Sequence, residues 1–145
     1  MYKELIKILL IEDDSEDFEM IMELIKQSDL KINVSVFKNG AEALSYLFSD
    51  DVYKTINRPD LVLLDLNMPK MNGIEFLEKI KKDEVLRLIP VLILTTSEDN
   101  DDVRKSYYLG ASCYIVKPVG LEKFQKLIKA INDFWFNIVK YPPKI

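Results

Sequence analysis

The chain contains no histidine and only one cysteine among its 145 residues. The absence of histidine excludes a Ser-His-Asp hydrolase, a zinc site with histidine ligands and a phosphohistidine carrier. Any phosphoryl or acyl chemistry must therefore use carboxylates, hydroxyls and lysine. The lone Cys113 cannot form an internal disulfide, which suits a reducing cytoplasm, and we expect it to be a buried small apolar side chain.

Long apolar segments are also missing. No run approaches the roughly 20 residues that a membrane-spanning helix needs, and the N-terminal residues Met1-Tyr2-Lys3-Glu4 contain no apolar signal segment. The net charge of −4 gives no electrostatic support for binding nucleic acid. A hydrophobic fraction of 48% and a charged fraction of 30% are ordinary for one globular domain. We therefore expect a single cytoplasmic domain over 1–145, with neither a membrane nor nucleic acid as a partner.

Apolar runs and segments of helical periodicity alternate five times along the chain. The predicted strands are 6–11, 32–37, 61–64, 91–95 and 112–116, and the predicted helices are 15–27, 41–48, 73–81, 102–109 and 121–139. Gly110 is expected just after the fourth helix as its C′ residue, and the conformation of residues 50–58 stays open. Five strand–helix units predict an α/β protein, a doubly wound five-stranded parallel sheet of the flavodoxin-like order 2-1-3-4-5.

Polar residues stand at the ends of the central strands. The first strand ends in Glu12-Asp13-Asp14, and Asp65 follows the uninterrupted apolar run 61–64 just before a turn bounded by Pro69. Thr95 ends the fourth strand and Lys117 the fifth. In the predicted order the ends of strands one and three flank the crevice where such sheets bind ligands, and a parallel sheet brings all these ends to one edge.

Carboxylates gathered at one edge repel each other unless a cation lies between them. An all-oxygen ligand set favours Mg²⁺, with Mn²⁺ as the alternative. A carboxylate nucleophile at Asp65 could then attack phosphorus and form an aspartyl-phosphate, while Lys117 and the hydroxyl of Thr95 stabilise the phosphoryl oxygens. Each residue alone has an ordinary explanation, as an acidic helix start, a loop lysine or a strand-end threonine. Their joint placement on four strand ends indicates a site.

Four segments resemble the receiver domain of bacterial two-component response regulators, and the likeness covers nearly the whole chain. The segments are Leu10-Ile11-Glu12-Asp13, Leu64-Asp65-Leu66-Asn67-Met68-Pro69, Leu94-Thr95-Thr96 and Tyr114-Ile115-Val116-Lys117-Pro118. The resemblance implies that Asp65 accepts a phosphoryl group from a sensor histidine kinase in a Mg²⁺-dependent reaction. It further implies that phosphorylation changes a protein-binding surface read by a downstream protein target.

The resemblance also assigns a role to each matching residue. Glu12 and Asp13 would bind the metal together with Asp65 and the main-chain carbonyl of Asn67. Thr95 and Lys117 would bind the phosphoryl oxygens. Tyr114 resembles the switch aromatic that turns inward when Thr95 moves toward the phosphate, although an ordinary strand aromatic is the alternative. The domain would catalyse only its own phosphorylation and slow dephosphorylation, and Asn67 and Ser97 are expected to influence the lifetime of the phosphorylated form.

Two segments, 48–57 and the tail 133–142, are similar to those of stand-alone regulators that serve bacterial phytochrome kinases. After an extended last helix only Tyr141-Pro142-Pro143-Lys144-Ile145 remains, so we expect no output domain and output by contact with another protein. The predicted apolar stripe of that helix comprises Leu121, Phe124, Leu127, Ile128, Ile131, Trp135 and Ile138. Phe134, Phe136 and Val139 fall partly outside the stripe. These additional apolar residues suggest a homodimer through the last helix and the face of strands four and five. The alternative is that the aromatics pack against the loop near Tyr53 in the same chain.

Two other functions remain open on the sequence. A phosphatase of the haloacid dehalogenase type also uses an Asp nucleophile, Mg²⁺, Thr and Lys, but it carries a second Asp where this chain has Asn67. A receiver-like adaptor that is never phosphorylated is the second alternative, and the presence of Asp13, Asp65, Thr95 and Lys117 argues against it. The identity of the kinase, its stimulus, the target, the phosphorylated lifetime and the oligomeric state stay open.

Overall fold

Five apolar runs form the strands of one parallel sheet in a computed structural model that describes residues 5–27, 31–68 and 70–144. The strands are β1 Ile6–Ile11, β2 Ile32–Phe37, β3 Leu61–Leu64, β4 Val91–Thr95 and β5 Cys113–Val116. Their order is β2-β1-β3-β4-β5, and every neighbouring pair is parallel. The predicted fold class and strand order are confirmed.

The burial of each strand follows its position in the sheet. All residues of β3 and β4 are buried, as expected of central strands covered by helices on both faces. The edge strands β2 and β5 are mostly half-buried. Cys113, on β5, is half-buried rather than fully buried, because an edge strand is covered less completely than the centre of the sheet.

Within the described ranges, six α-helices connect the strands and cover the sheet. They are α1 Ser15–Lys26, α2 Gly40–Phe48, α3 Asp50–Tyr53, α4 Gly73–Lys82, α5 Asn100–Tyr108 and α6 Leu121–Ile131, and a 3₁₀ turn spans Leu86–Leu88. Asp or Asn side chains accept a main-chain N–H at the start of four of them, namely Asp14, Asn39, Asn72 and Asp99. Gly110 follows α5 with φ of 106°, which confirms its predicted place after the helix.

The core has two halves, one on each face of the sheet. Alternate strand residues point to opposite faces, so Leu9 and Ile11 join the half under α2 and α4, while Ile8 and Leu10 join the half under α1 and α6. This packing holds the carboxyl ends of the strands in fixed relative positions. No helix among the described residues is long and apolar enough to cross a membrane.

Residues 50–58, which the sequence left open, form the short helix α3 followed by turns. Phe48 stacks on Tyr53 with ring centroids 5.6 Å apart, and the Tyr53 hydroxyl donates to both carboxylate oxygens of Asp83 at 3.1 and 2.9 Å. Asp83 also accepts the main-chain N–H groups of Val85 and Leu86. The segment is therefore attached to the end of α4.

The last helix differs from the predicted span 121–139. Regular α-helix ends at Ile131, and a π-helical turn follows over Asn132–Phe136. A π turn bonds residue i to i+5, so it places Phe136 over Ile131, and both side chains are buried in the same half of the core. The predicted stripe is therefore wrong at Ile138, which is 71% exposed, and Phe136, predicted to fall partly outside the stripe, is buried. Leu121, at the first position of α6, was also predicted in the stripe but is 58% exposed. Pro69 and Ile145 lie outside the described residues.

Candidate functional site

Main-chain hydrogen bonds bring the four strand ends to one edge of the sheet. The amide of Asp65 donates to the carbonyl of Ile11 at 3.0 Å, which places it beside the end of β1. On the other side, the amide of Lys117 donates to the carbonyl of Thr95 at 2.7 Å. Residues that are far apart in the sequence therefore meet at the carboxyl edge, as predicted for the crevice of a doubly wound sheet.

Three carboxylates cluster at this edge. Oxygen atoms of Glu12, Asp13 and Asp65 all lie within 4.8 Å of one another. Glu12 and Asp65 are buried, while Asp13 is exposed and leaves the cluster open to solvent on one side. Like charges held this close destabilise one another, and a hard cation with oxygen ligands removes the repulsion. The donor set therefore fits a divalent metal.

Lys117 is the cation among the described side chains that reaches this cluster. Its Nζ donates to Glu12 in a short hydrogen bond, to Asp17 Oδ2 at 2.8 Å and to Asp65 Oδ2 at 3.3 Å. Its side chain is 5% exposed. Lys117 thus points into the site, as predicted, and lies beside the proposed nucleophile.

Asp17 is a site residue that was not predicted from the sequence. It lies in the first turn of α1, where an acidic side chain is explained by the helix dipole alone. Only the tertiary fold brings it to Lys117, which is 100 residues away in the chain. Nothing in the spacing of Asp17 from Glu12 along the sequence predicts that Asp17 belongs to the site.

Burial and mutual contact shift the protonation of the paired groups. Burial, together with a hydrogen bond to Asp65, raises the pKa of Glu12 to about 8 despite the opposing effect of Lys117. Burial alone would lower the pKa of Lys117, but the carboxylates of Asp17 and Glu12 outweigh it and hold that pKa above its usual range. At neutral pH the lysine therefore stays charged.

The loop after β4 is tied to its neighbours through Ser97. The Ser97 hydroxyl donates to the carboxylate of Asp102 in α5 at 2.7 Å. The main-chain carbonyl of Ser97 accepts a hydrogen bond from the Tyr114 hydroxyl at 2.9 Å. The Ser97 amide lies 3.4 Å from the Thr95 hydroxyl oxygen, to which it donates. Thr95 is fully buried and Tyr114 is half-buried. A displacement of Thr95 would therefore alter, through Ser97, the hydrogen bonds made by Tyr114 and by Asp102 of α5.

The loop after β3 is held by a close approach of α4. The amide of Asn67 donates to Asp65 Oδ1 at 3.1 Å, and the amide of Gly73 donates to the carbonyl of Leu66 at 2.9 Å. A Cβ atom on Gly73 would lie only 2.6 Å from the carbonyl oxygen of Asp65. Glycine at the first position of α4 is therefore required for the loop to lie where it does.

The fold and this edge define a class: a doubly wound α/β protein with an oxygen-donor cation site at the topological switch point. A family model described as response regulator receiver domain matches residues 8–131, so the chain belongs to the receiver-domain family. It is a response regulator of two-component signalling, as the resemblance in sequence implied, and a histidine kinase is its upstream partner.

Several relatives are similar over almost their whole length. Response regulator Rcp1 of Synechocystis sp. is 38% identical over 135 residues, which cover 93% of this chain and 92% of Rcp1. A crystal structure of Rcp1 in its Mn²⁺-bound form superposes with a TM-score of 0.88 at 37% identity, covering 94% of this chain and 99% of Rcp1. The probable methanogenesis regulatory protein FilR2 of Methanothrix harundinacea is 34% identical over 136 residues, or 93% of this chain and 86% of FilR2.

A second crystal structure is that of the phosphorylated cyanobacterial phytochrome response regulator RcpA. It has a TM-score of 0.90 at 39% identity and covers 97% of this chain and 100% of RcpA. A phosphorylated relative with the same fold agrees with the predicted class of function.

Proposed function

We propose that Asp65 accepts a phosphoryl group from a phosphohistidine of the partner kinase, and that the phosphorylated form presents a changed protein-binding surface. The observation that carries this proposal is the cluster of Glu12, Asp13 and Asp65 with Lys117 Nζ 3.3 Å from Asp65 Oδ2. A nucleophilic carboxylate, a cation site and an ammonium at one point are what transfer of a phosphoryl group requires.

In the proposed reaction a carboxylate oxygen of Asp65 attacks phosphorus, the new O–P bond forms, and the N–P bond to the kinase histidine breaks. The imidazole nitrogen keeps the electron pair and takes up a proton. Lys117 and Thr95 donate hydrogen bonds to the phosphoryl oxygens and stabilise their charge in the transition state. Asn67 and Ser97, in the loops that follow β3 and β4, would influence how readily water reaches the acyl phosphate.

A divalent cation would be held by Glu12, Asp13, Asp65 and the main-chain carbonyl of Asn67. When bound, it would neutralise charge on the phosphoryl oxygens. Mg²⁺ is the cation we propose, because carboxylate, carbonyl and water ligands suit it. Mn²⁺ suits the same ligands, and the Mn²⁺-bound form of Rcp1 supports this class of metal.

Acetyl phosphate with Mg²⁺ provides the direct test. Intact-mass spectrometry should show the addition of one phosphoryl group to the wild type and to Asp51→Asn, a control on the exposed face of α3, but none to Asp65→Asn. Rapid release of phosphate over many turnovers would instead favour the phosphatase, and an unchanged mass of the wild type would favour the inert adaptor. We propose that the domain acts on no separate substrate and turns over only its own phosphate.

A kinase of the phytochrome type is our first candidate for the upstream partner. RcpA is a cyanobacterial phytochrome response regulator, and its whole length is similar to this chain. FilR2 is a probable methanogenesis regulatory protein, so relatives of this chain regulate different processes. The kinase is therefore identified by its rate of phosphotransfer. Phosphotransfer profiling should show faster transfer from an autophosphorylated phytochrome-type kinase than from unrelated histidine kinases, and equal rates would reject this candidate.

We also propose that the signal leaves by contact with another protein and that the chain forms a homodimer. The π turn and the tail lie outside residues 8–131, which the family model matches. In this segment Phe134 is 50% exposed and Ile138 is 71% exposed. A second patch of exposed apolar residues runs over α5, β5 and the start of α6. It comprises Tyr107, Tyr108, Val116, Val119 and Leu121.

Sedimentation at micromolar concentration tests the dimer. Phe134→Glu/Ile138→Glu should lower the mass to that of the monomer, whereas Ile56→Glu, at a site that is 74% exposed, should not. Trp135 and Phe136 are unsuitable for this test because Phe136 is buried in the core and Trp135 packs against it. A monomeric wild type, or a double variant that stays dimeric, would reject dimerisation through this surface.

A further inference from the structure

The ammonium group of Lys117 is shared among three carboxylates. A lysine ammonium has three N–H donors and no acceptor. Here the three donors are directed to Glu12, to Asp17 at 2.8 Å and to Asp65 at 3.3 Å. With a side chain only 5% exposed, Lys117 has little access to water as an alternative partner. An anion that enters the site must therefore take a donor from one of these carboxylates.

Asp17 differs from the other two partners in its position. It belongs to α1 rather than to a strand end, and its oxygens are not part of the cluster that fits a metal. Its main-chain amide is already bonded to Asp14 Oδ1 at 3.0 Å, so its side chain is not needed to cap the helix. Its side chain is 23% exposed, which makes it the most accessible partner of Lys117.

We propose that Asp17 is a positioning residue that competes with the bound phosphoryl group for Lys117 and so limits the affinity of the site for that anion. The inference rests on the proposed function of Asp65. Pairing with Asp17 partly neutralises the ammonium, and it occupies a donor that would otherwise be available to a phosphoryl oxygen. Loss of the Asp17 charge would leave the site more positive, which favours an anion and disfavours a divalent cation.

Asp17→Asn provides the test because it keeps the size of the side chain and one oxygen acceptor while it removes the charge. Two affinities are measured: that for Mn²⁺, from the electron paramagnetic resonance signal of the free ion, and that for beryllofluoride at saturating Mg²⁺, by fluorine NMR. We expect Mn²⁺ to bind more weakly and beryllofluoride more tightly, each by about threefold or more. A defect of folding would weaken both.

Two further variants make the comparison specific. Glu16→Gln removes the same charge from the neighbouring exposed residue of α1 and should change either affinity by less than about twofold. Asp17→Glu restores the carboxylate and should return both affinities toward those of the wild type. If both affinities fall in Asp17→Asn, or if neither differs from that of Glu16→Gln, the inference is wrong.

The proposed function can fail separately in the same experiment. A wild type that forms no beryllofluoride adduct, or an adduct that persists in Asp65→Asn, would overturn the role of Asp65 and this inference with it. A normal wild-type adduct together with an unchanged Asp17→Asn would overturn the inference about Asp17 alone.

Discussion

Lys81 illustrates how a single residue combines a structural contact with an electrostatic cost. Its Nζ donates to the carbonyls of Arg87 and Ile89 at 2.9 and 2.8 Å, which fixes the turn that leads into β4. Burial, with a smaller effect of Arg87, lowers the pKa of Lys81 to about 8 from its ordinary value of 10.5. The lysine is therefore charged at neutral pH at some cost to the folded state.

The cost of that charge should be visible as a pH dependence of stability. Between pH 8 and 10.5 the unfolded chain still holds the Lys81 proton that the folded chain has released. The free energy of unfolding of the wild type, relative to Lys81→Met, should therefore rise with pH across this window. Urea denaturation at several pH values measures it, with the exposed Lys82→Met as the control. Parallel curves for wild type and Lys81→Met would contradict the prediction.

Gly73 is a residue whose lack of a side chain shapes the site. In Gly73→Ala the new Cβ would lie 2.6 Å from the carbonyl oxygen of Asp65 and 2.7 Å from Cα of Leu66, and neither main-chain atom can yield easily. We expect a loss of about 1–3 kcal/mol in the free energy of unfolding, together with slower phosphorylation by acetyl phosphate. The displaced Asp65 loop is the reason for the slower reaction.

Gly110→Ala is the control for Gly73→Ala, because Gly110 has φ of 106°, a conformation that a side chain disfavours. The nearest atoms to its Cβ would belong to the Lys81 side chain, at 3.5 Å, outside the loop that holds Asp65. It should therefore destabilise the fold while affecting the phosphorylation rate less. Equal effects of the two variants on phosphorylation would show that general destabilisation, not the displaced loop, controls the rate.

Among the elements, the π turn decides which aromatics of the C-terminal segment are buried. Phe136→Ala should lower the free energy of unfolding by about 3–5 kcal/mol, because the side chain is 6% exposed in the core. Phe134→Ala, at a site that is 50% exposed, should cost less than about 1 kcal/mol in the monomer. Urea denaturation of both variants gives the comparison. Similar losses would indicate that the helix continues without the π turn.

For the whole molecule, the C-terminal tail connects distant parts of the chain at the amino edge of the sheet. Lys144 Nζ lies 3.2 Å from Asp60 Oδ1 and donates to the carbonyl of Ile56 at 2.9 Å. Asp60 precedes β3 and also accepts the main-chain amide of Lys7 at 2.8 Å. The tail is thus joined to both β1 and β3, at the end of the sheet opposite the functional site.

Removal of this ion pair should have a measurable cost. Lys144→Met should lower the free energy of unfolding by about 1–2 kcal/mol, because the pair is largely buried and one donor serves two acceptors. Lys54→Met, which removes an exposed pair with Asp50, should cost less than about 0.5 kcal/mol. Thermal or urea unfolding distinguishes the two, and equal values would mean that the tail contributes little to stability.

Cation binding should stabilise the whole domain. Mg²⁺ at 100 times its dissociation constant should add about 2.7 kcal/mol to the free energy of unfolding, since the folded state alone assembles the cluster. The increase should disappear on addition of EDTA and be strongly reduced in Asp13→Asn, whose exposed side chain can be changed without disturbing the core. The same increase in that variant would remove Asp13 from the proposed ligands.

The sequence by itself determined the sheet and most of the site. Four strands have the predicted bounds because their patterns can be recognised locally. β3 and β4 are uninterrupted apolar runs that are buried throughout, and the edge strand β2 has an alternating pattern. Strand ends in a parallel sheet share an edge, so the order of strands was enough to bring Glu12, Asp13, Asp65 and Lys117 together. Apart from the end of the last helix, the helix ends differ from the predicted ones by at most two residues, since capping depends on individual side chains.

The tertiary structure alone decided the contacts that no local period encodes. Asp17 pairs with Lys117 across 100 residues, and Lys144 donates to the carbonyl of Ile56 across 88. The π turn changed which residues at the end of the last helix are buried, because its i to i+5 hydrogen bonds rotate the following residues relative to a regular α-helix. The packing of Phe136 in the core favours this turn. These contacts depend on which surfaces meet after folding, and the periodicity of the sequence does not predict which surfaces those are.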